Sequence, residues 1–217
     1  MRREPTPRVF LDANVLVDAQ LRDLFCGFAE ASLLQVRWSD EVLAETRAAL
    51  VDKRGFDRDK VDRMIGDLRR SIPGAMVSGF ERHAYELPDP DDRHVLAAAA
   101  HGRCDWLVTL NLRDFPSRTV ADAGCAVVHH DGAIAEVAVA HPKRVGHVVD
   151  AVRGRLRNPP VSREAYLSRL EQRAPTGAKA LRTALEASPR SVAAAARSSP
   201  RTPAGVARSS LATGLVR

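Results

Sequence analysis

Four acidic side chains that lie far apart in the chain are the residues with the clearest potential for shared chemistry. Each stands near the end of an expected strand, or on a helix expected to cross the same sheet edge: Asp12, Glu45, Asp92 and Asp114. If they converge, each negative charge raises the pKa of its neighbours, and they stay ionised only beside cations. Mg²⁺ and Mn²⁺ prefer carboxylate oxygen and water, and such an ion activates water and neutralises charge on a phosphoryl group. This set therefore indicates metal-assisted chemistry at phosphorus.

The first of these acids follows a short apolar run. Residues 8–11 are too few and too continuously apolar for a surface helix, so we expect a buried strand of a parallel sheet. Open parallel sheets bind ligands in the crevice beyond the carboxyl ends of their strands, which is where Asp12 would lie. A simpler explanation is that Asp12 or Asn14 only caps a helix that begins at Val15.

A second expected strand ends in the same way. The run D-W-L-V-T-L is the most convincing strand pattern in the chain, and it is followed by Asn111 and Asp114, with Thr109 just before them. An amide and a carboxylate thus follow both strands. This repetition favours a shared site over two unrelated helix caps.

Two of the acids are expected on helices. Ser39 or Asp40 can cap a helix on which Glu41 and Glu45 lie one turn apart, and either glutamate could point over the sheet edge. Both could equally be ordinary solvated side chains.

A run of three aspartates and one proline, residues 89–92, precedes the next helix. Asp89 has the character of an N-cap followed by Pro90 at the first helical position, which places Asp91 and Asp92 in the first turn. Acidic residues there also favour the helix dipole. Capping by itself therefore explains this cluster, and His94 after it reads as a surface or boundary histidine.

The elements that must position these residues alternate between strand and helix. Further strands are expected at Q-V-R-W, A-M-V-S and C-A-V-V-H, with amphipathic helices between them. Gly27 is a candidate break in the helical pattern that follows Asn14. This order predicts a three-layer α/β/α sandwich with a central parallel sheet.

The chain divides into three parts. Residues 8–130 hold the alternating pattern, and residues 131–187 show only helical patterns punctuated by prolines, so they are expected to form a helical C-terminal extension. Residues 188–217 are mostly Ala, Ser, Pro and Arg without an acid, and we expect this tail to be disordered because it cannot offset its ordering entropy. The helices expected in the extension are 134–140, 144–156, 163–170 and 178–185.

Composition limits the class of protein. With 217 residues and 45% hydrophobic content, the chain can bury one core and carry an extension. Its net charge of +6 suggests affinity for a polyanion, although part of that charge lies in the tail. Cys26, Cys104 and Cys125 are widely separated and are expected to be buried thiols in a reducing cytosol. Without a signal-like or membrane-spanning apolar stretch, the sequence predicts a soluble cytoplasmic protein.

Several of these motifs together carry a family resemblance. The segments V-F-L-D-A-N-V-L, the A-E of the second helix, D-P-D-D-R-H-V-L-A-A-A and L-V-T-L-N-L-R-D-F resemble the PIN domain family, particularly the VapC-type toxin ribonucleases of bacterial toxin–antitoxin pairs. The resemblance spans about residues 8–130. The segment R-N-P-P-V-S-R-E-A-Y-L is similar to a C-terminal helical extension found on a subset of PIN toxins.

This resemblance implies a set of residue roles. The four catalytic, metal-binding acids would be Asp12, Glu45, Asp92 and Asp114, with Glu41 competing with Glu45, and Asp89 or Asp91 competing with Asp92. The polar support would come from Asn14, Thr109 and Asn111. By position, the candidates to hold flanking RNA phosphates are Arg22, Arg47, Arg93 and Arg113.

The implied activity is that of a Mg²⁺- or Mn²⁺-dependent endoribonuclease in which water attacks phosphorus in line and no side-chain nucleophile is needed. The implied partners are an RNA substrate, a cognate antitoxin and a second copy of the chain in a homodimer, and the implied effect is inhibition of translation. A haloacid-dehalogenase-like phosphatase is disfavoured, because its second aspartate would stand where this sequence has Asn14. The remaining alternative is a catalytically silent PIN-like module that binds RNA or a protein.

Overall fold

A central parallel sheet organises the chain. The computed structural model describes residues 6–157 and 159–187, and in this part of the chain five strands form one sheet. The expected tail, 188–217, lies outside the described residues. The strands are β1 (Arg8–Leu11), β2 (Gln35–Ser39), β3 (Met76–Val77), β4 (Trp106–Thr109) and β5 (Ala126–His129).

The strand order is β3-β2-β1-β4-β5, and every neighbouring pair is parallel. Strand β1 is central and fully apolar from Val9 to Leu11, with all three side chains buried, as a strand covered on both faces requires. From β1 the chain moves to β2 on one side and later returns to β4 on the other. The order therefore reverses between β1 and β4, and their carboxyl ends flank the crevice where such sheets bind ligands.

Helices flank the sheet and complete the predicted three-layer α/β/α fold. Helix α5 contacts β1, β2 and β4, whereas α2 contacts β2 and α7 contacts β4 and β5. The described helices are α1 (Ala13–Val17), α2 (Ala19–Glu30), α3 (Asp40–Ala48), α4 (Arg58–Ser71), α5 (Arg93–His101), α6 (Ser117–Ala123), α7 (His130–Ala140), α8 (Pro142–Gly154), α9 (Arg163–Glu171) and α10 (Pro175–Glu186). A π-helical stretch, Ala49–Lys53, continues α3, and two 3₁₀ turns occupy Pro90–Asp92 and Leu112–Asp114.

The expected break at Gly27 is wrong. The helical pattern breaks instead at Asp18, whose carboxylate caps α2 by accepting hydrogen bonds from the amides of Gln20 and Leu21. Gly27 lies inside α2, and a Cβ there would stand 2.7 Å from Val152 and 2.9 Å from Val148 on α8. The glycine therefore allows α2 and α8 to approach closely.

The C-terminal helices pack on the sheet domain and on each other. Helix α10 packs against α7, α8 and α9, while α8 packs against α2. The Gln20 side-chain amide donates to the Tyr166 carbonyl over 2.8 Å, and Arg173 pairs with Asp18. Apolar packing and long-range polar contacts therefore join the extension to the rest of the fold.

The cysteines match their predicted state, and the described helices were compared with the length needed to cross a membrane. Cys26, Cys104 and Cys125 are buried free thiols, as expected. In the part of the chain that the structure describes, no helix combines the length and the apolar character needed to span a membrane.

Candidate active site at the carboxyl ends of β1 and β4

Two neighbouring strand ends create the site. The pairing of Leu11 with Val108 aligns β1 and β4, and the amide of Asp12 donates to the Val108 carbonyl over 3.1 Å. Asp12 and Thr109 therefore leave the sheet side by side. Both side chains are buried, Asp12 being 5% exposed and Thr109 fully covered.

Hydrogen bonds fix the Asp12 carboxylate. Its Oδ2 accepts from Thr109 Oγ1 at 2.6 Å and from Asn14 Nδ2 at 2.5 Å, and the Asn14 amide also donates to Thr109 Oγ1 at 2.9 Å. Asn14 Oδ1 in turn accepts from the amide of Leu110 at 3.1 Å. These contacts between the two strand ends set the orientation of the carboxylate.

Helix capping does not account for Asp12. The residue occupies the N-cap position of α1, but its side chain makes no capping hydrogen bond. Burial raises the pKa of Asp12, and the charge of Glu45 raises it further, while the Thr109 hydroxyl and the amides of Ala13 and Asn14 partly oppose this rise. A buried carboxyl group at a strand end, held by polar neighbours, has the character of a functional group.

The end of β4 extends this network toward a second acid. The Asn111 amide donates to Thr109 Oγ1 at 3.0 Å, and its side chain donates to Asp114 Oδ2. The 3₁₀ turn Leu112–Asp114 thereby holds Asp114 near the strand end. Thr109 links both acids, because its hydroxyl contacts Asp12 and the residue that holds Asp114.

Asp92 joins the same group from the start of α5. Burial, the charges of Asp12, Asp114 and Asp89, and a hydrogen bond with Asp114 together raise the pKa of Asp92 to about 7. Since this value is close to neutral pH, the Asp92 carboxyl is partly protonated there. Asp12, Asp92 and Asp114 therefore form one electrostatically coupled set.

The structure distinguishes the neighbouring aspartates. Asp89 caps the 3₁₀ turn by accepting from the amide of Asp91 at 2.9 Å, and Asp91 is exposed. Asp92 is half-buried and bonded to Asp114. Of the three, Asp92 has the position best suited to a shared site.

The two glutamates of α3 differ in their contacts, although both are exposed. Glu45 Oε1 contacts His94 Nε2 at 2.6 Å, and its charge raises the pKa of Asp12. The charge of Glu41 raises the pKa of His94. The geometry therefore favours Glu45 over Glu41 as the partner of Asp12.

His94 is a site neighbour that sequence reasoning missed. Burial lowers its pKa, but the hydrogen bond and charge of Glu45, with the charges of Glu41 and Asp12, produce a net rise. Its Nδ1 is buried without a hydrogen-bond partner in the described residues. No local signal could have identified it, because Glu45 lies 49 positions earlier in the chain.

Two of the arginines proposed to hold RNA are engaged within the protein. Arg22, only 13% exposed, donates to the Leu16 carbonyl at 3.0 Å. Arg47 forms two hydrogen bonds, of 2.5 and 3.1 Å, with the Asp62 carboxylate. Phosphate binding by either would require these contacts to break.

The other two arginines are closer in sequence to the acids. Arg93 pairs with Glu86 at 3.2 Å, and both side chains are exposed. Arg113, beside Asp114, is also exposed and has no ion pair within the described ranges. Arg113 is therefore the arginine of this group most available to a ligand.

The oxygen donors of the site suit a hard divalent cation, but their arrangement does not surround a single metal position among the described residues. Its acids offer only carboxylate oxygens, and a cation would relieve the repulsion that raises the pKa of Asp92. Within residues 6–157 and 159–187, however, no three or more Asp, Glu, His or Cys side chains are arranged so that they could hold one metal ion together. Mg²⁺ commonly binds through one or two carboxylates and keeps several waters, so the Asp92–Asp114 pair with Asp12 nearby suits such an ion.

Comparison with known proteins agrees with this architecture. Residues 8–113 match the family model described as the PIN domain, and residues 131–183 match the model described as the VapC50 C-terminal domain. Together the two matches cover most of the chain. No curated protein and no solved structure matches it.

Proposed function

Because this chain belongs to the PIN domain family and carries a VapC50 C-terminal domain, we propose that it is a divalent-metal-dependent endoribonuclease. We further propose that it acts as the toxin of a toxin–antitoxin pair, inhibits translation by cutting RNA in the cytoplasm, and is covered by a cognate antitoxin. The acids assigned to the reaction are Asp12, Glu45, Asp92 and Asp114.

The observation that carries this proposal is the coupling among three aspartates from three separate elements. Burial, together with the charges of the other two aspartates, raises the pKa of Asp92 to about 7. A fold gains no stability from such an arrangement, since burying like charges together disfavours their ionised forms. Clusters of this kind at a ligand crevice are characteristic of functional sites.

Some residues of the site orient the acids, and others bind a cation or accept a proton. Thr109 and Asn14 orient the Asp12 carboxylate, and Asn111 orients Asp114. Asp92 would have to be ionised to hold a cation, because a metal requires ionised ligands. With a pKa near neutrality, Asp92 is suited to accept the proton of an attacking water.

Asp92 and Asp114 would hold a divalent cation, with Asp12 nearby, and the cation would neutralise phosphodiester charge and lower the pKa of water. Glu45, held by His94, would add negative charge that acts on Asp12. We expect hydrolysis to proceed without a covalent enzyme intermediate.

One observation favours a second candidate, a PIN-like module that binds RNA or protein without cutting it. The described residues do not contain three acidic, histidine or cysteine side chains already arranged around one metal position. A silent module would leave the aspartates coupled but unable to recruit an ion.

Cleavage of labelled single-stranded RNA, with and without Mn²⁺, separates the two candidates. We expect metal-dependent cleavage by the parent and a loss of at least about a hundredfold in Asp12→Asn, which removes a charge aimed at the reacting centre. We also expect Asp92→Asn to lower cleavage, and Asp91→Asn is its matched control, because Asp91 is adjacent but exposed. Absence of cleavage by the parent with any divalent metal, or full activity of Asp12→Asn, would contradict the nuclease proposal.

A further inference from the structure

A cleft of about 450 Å³ lies where the C-terminal helices meet the sheet domain. Its lining comes from the junction of α1 and α2, from the segment between α3 and α4, from the start of α4, and from α9 with the residues after it. Val17 and Leu50 contribute apolar surface. None of the four proposed catalytic acids lines this cleft.

The cleft has an excess of positive charge. Five basic and two acidic residues line it. Both acids already have partners: Asp18 caps α2 and pairs with Arg173, and Asp57 caps α4 by accepting from the amide of Lys60. The two carboxylates are thus engaged in structural contacts, and the basic excess remains.

Three of the basic side chains are available for a ligand. Arg54, Lys60 and Arg169 are exposed, and none of their side chains forms an ion pair or hydrogen bond within the described parts of the chain. They come from three different elements around one cleft. This arrangement can contact several negative groups of one extended ligand.

An aromatic ring stands among these cations. Phe56 is 57% exposed, the highest exposure of any aromatic side chain among the described large apolar residues. Its backbone is held, because its amide donates to the Leu50 carbonyl at 3.0 Å and the amide of Gly55 donates to Val51 at 3.1 Å. Gly55 has a φ of +68°, which allows the tight turn before the ring. The ring is therefore presented to solvent on a hydrogen-bonded turn.

The cleft begins close to the proposed active site. Val17 is five residues after Asp12, and α1 connects them. At a helical rise of 1.5 Å per residue, this separation is about 8 Å along the helix axis. The cleft and the proposed active site therefore lie at opposite ends of one short helix.

We propose that this cleft binds single-stranded RNA beside the scissile phosphodiester, with Phe56 stacking on a base and Arg54, Lys60 and Arg169 contacting phosphates. An exposed aromatic ring surrounded by unpaired cations is the arrangement that single-stranded nucleic acids prefer. The inference rests on the proposed ribonuclease function, and it assigns to the C-terminal extension a share of substrate binding through Arg169.

The alternative occupant is an acidic protein segment. A docked helix needs several apolar anchors at successive turns. Phe56 is the one exposed large apolar side chain found in this cleft among the described residues. A single aromatic ring with separate cations favours a nucleotide.

Binding is measured by fluorescence anisotropy with a fluorescein-labelled oligouridylate, using the full chain with Asp12→Asn to prevent cleavage. We expect Phe56→Ala to weaken binding between about five- and a hundredfold, because stacking on one base accounts for an effect of this size. Phe56→Trp should retain affinity, while Phe56→Leu should lose it, because leucine keeps apolar surface but lacks a ring. Val139→Ala, at an exposed apolar position outside the cleft, is the control.

The salt dependence of binding tests the cations separately. We expect Arg54→Ala, Lys60→Ala and Arg169→Ala each to lower the slope of log affinity against log salt by about 0.7, the value for one lost contact on a single strand. Phe56→Ala should reduce affinity without changing this slope. Lys143→Ala, an exposed cation outside the cleft, should change neither quantity.

Cleavage by the same variants with Asp12 intact separates this inference from the nuclease proposal. If the parent does not cleave RNA but the cleft variants lose RNA binding, the proposal that the cleft binds RNA is supported and the nuclease proposal fails. If the parent cleaves and every cleft variant binds RNA as tightly as the parent, the cleft proposal is overturned. Equal affinity of Phe56→Leu and the parent would likewise exclude stacking and point to an apolar protein contact.

Discussion

The acids at the strand ends and the acids on the helices are held by different means. Asp12 and Asp114 receive hydrogen bonds from the neutral side chains of Thr109, Asn14 and Asn111, whereas Glu45 is held by His94, and Asp92, with its raised pKa, by a hydrogen bond with Asp114. The strand-borne half is thus oriented before any ligand binds. The helix-borne half changes with pH and with cation binding.

This difference indicates how a parallel sheet can support a site of repelling charges. Rigid strand ends supply neutral donors that do not titrate, so they hold Asp12 at any pH near neutrality. Asp92 and Glu45, which the surrounding helices carry, can then change protonation or position when a charged ligand binds.

Thr109→Val should break the strand-borne half. The substitution removes the buried hydroxyl that donates to Asp12 and accepts from Asn14 and Asn111, while it preserves side-chain volume. We expect the free energy of unfolding to fall by about 1–3 kcal/mol and cleavage to fall by more than tenfold. Urea unfolding and RNA cleavage measure the two effects.

Thr46→Val is the matched control for this change. Thr46 is equally buried, but its hydroxyl donates to the Val42 carbonyl within α3 at 2.8 Å. Thr46→Val should lower the free energy of unfolding by no more than about 1 kcal/mol and have little effect on cleavage. Equal losses in the two variants would show that Thr109 has no special relation to Asp12.

Activation by Mn²⁺ should depend on pH through Asp92. Below its pKa of about 7 the Asp92 carboxyl carries a proton, and the metal must displace it. We therefore expect the Mn²⁺ concentration for half-maximal cleavage to rise about tenfold per pH unit below pH 7 and to level off above it. Asp92→Asn should remove this dependence, and a pH-independent Mn²⁺ requirement in the parent would contradict the raised pKa of Asp92.

His94→Ala should loosen the helix-borne half. Without its contact to His94, Glu45, whose side chain is 45% exposed, is free to move away from Asp12. We expect cleavage to fall roughly fivefold, in line with one partly exposed hydrogen bond. His94→Gln keeps a donor and should restore most of the activity, while an equal loss in both variants would argue against positioning of Glu45.

Asp92→Asn should stabilise the metal-free protein at alkaline pH. Because the folded-state pKa of Asp92 is raised, its contribution to stability is present below the unfolded-state value and is lost as the pH rises through about 7. We expect the Tm of the metal-free parent to decline between about pH 4 and pH 7, and the variant to exceed it by a few degrees at pH 8. Thermal unfolding in the presence of a chelator provides the measurement, and identical pH profiles would contradict the raised pKa.

The strand pattern and the first acid of the site could be predicted because their signals are local. The apolar runs that end at Leu11 and Thr109 indicated parallel strands, and both expected strands are present. Placement of Asp12 beyond the first of them followed from the general geometry of open parallel sheets. Gly27 could not be interpreted locally, since its role depends on Val148 and Val152, more than a hundred residues later.

Local patterns also left the choice among neighbouring acids open. Glu41 and Glu45 share a helix flank, and Asp89, Asp91 and Asp92 share one turn. The structure separates them through contacts with distant residues, namely His94 for Glu45 and Asp114 for Asp92. Such contacts leave no mark in the spacing of either segment.

The sequence by itself determined the alternation of elements, the parallel sheet and the acids at its edge, because hydrophobic period and turn residues act over a few positions. Only the tertiary structure decided which acids share charge, which arginines are already paired, and that α9 joins the segment before α4 around a basic cleft. The physical reason is that charge coupling and burial depend on distances between elements. Those distances are set by the packing of the whole fold.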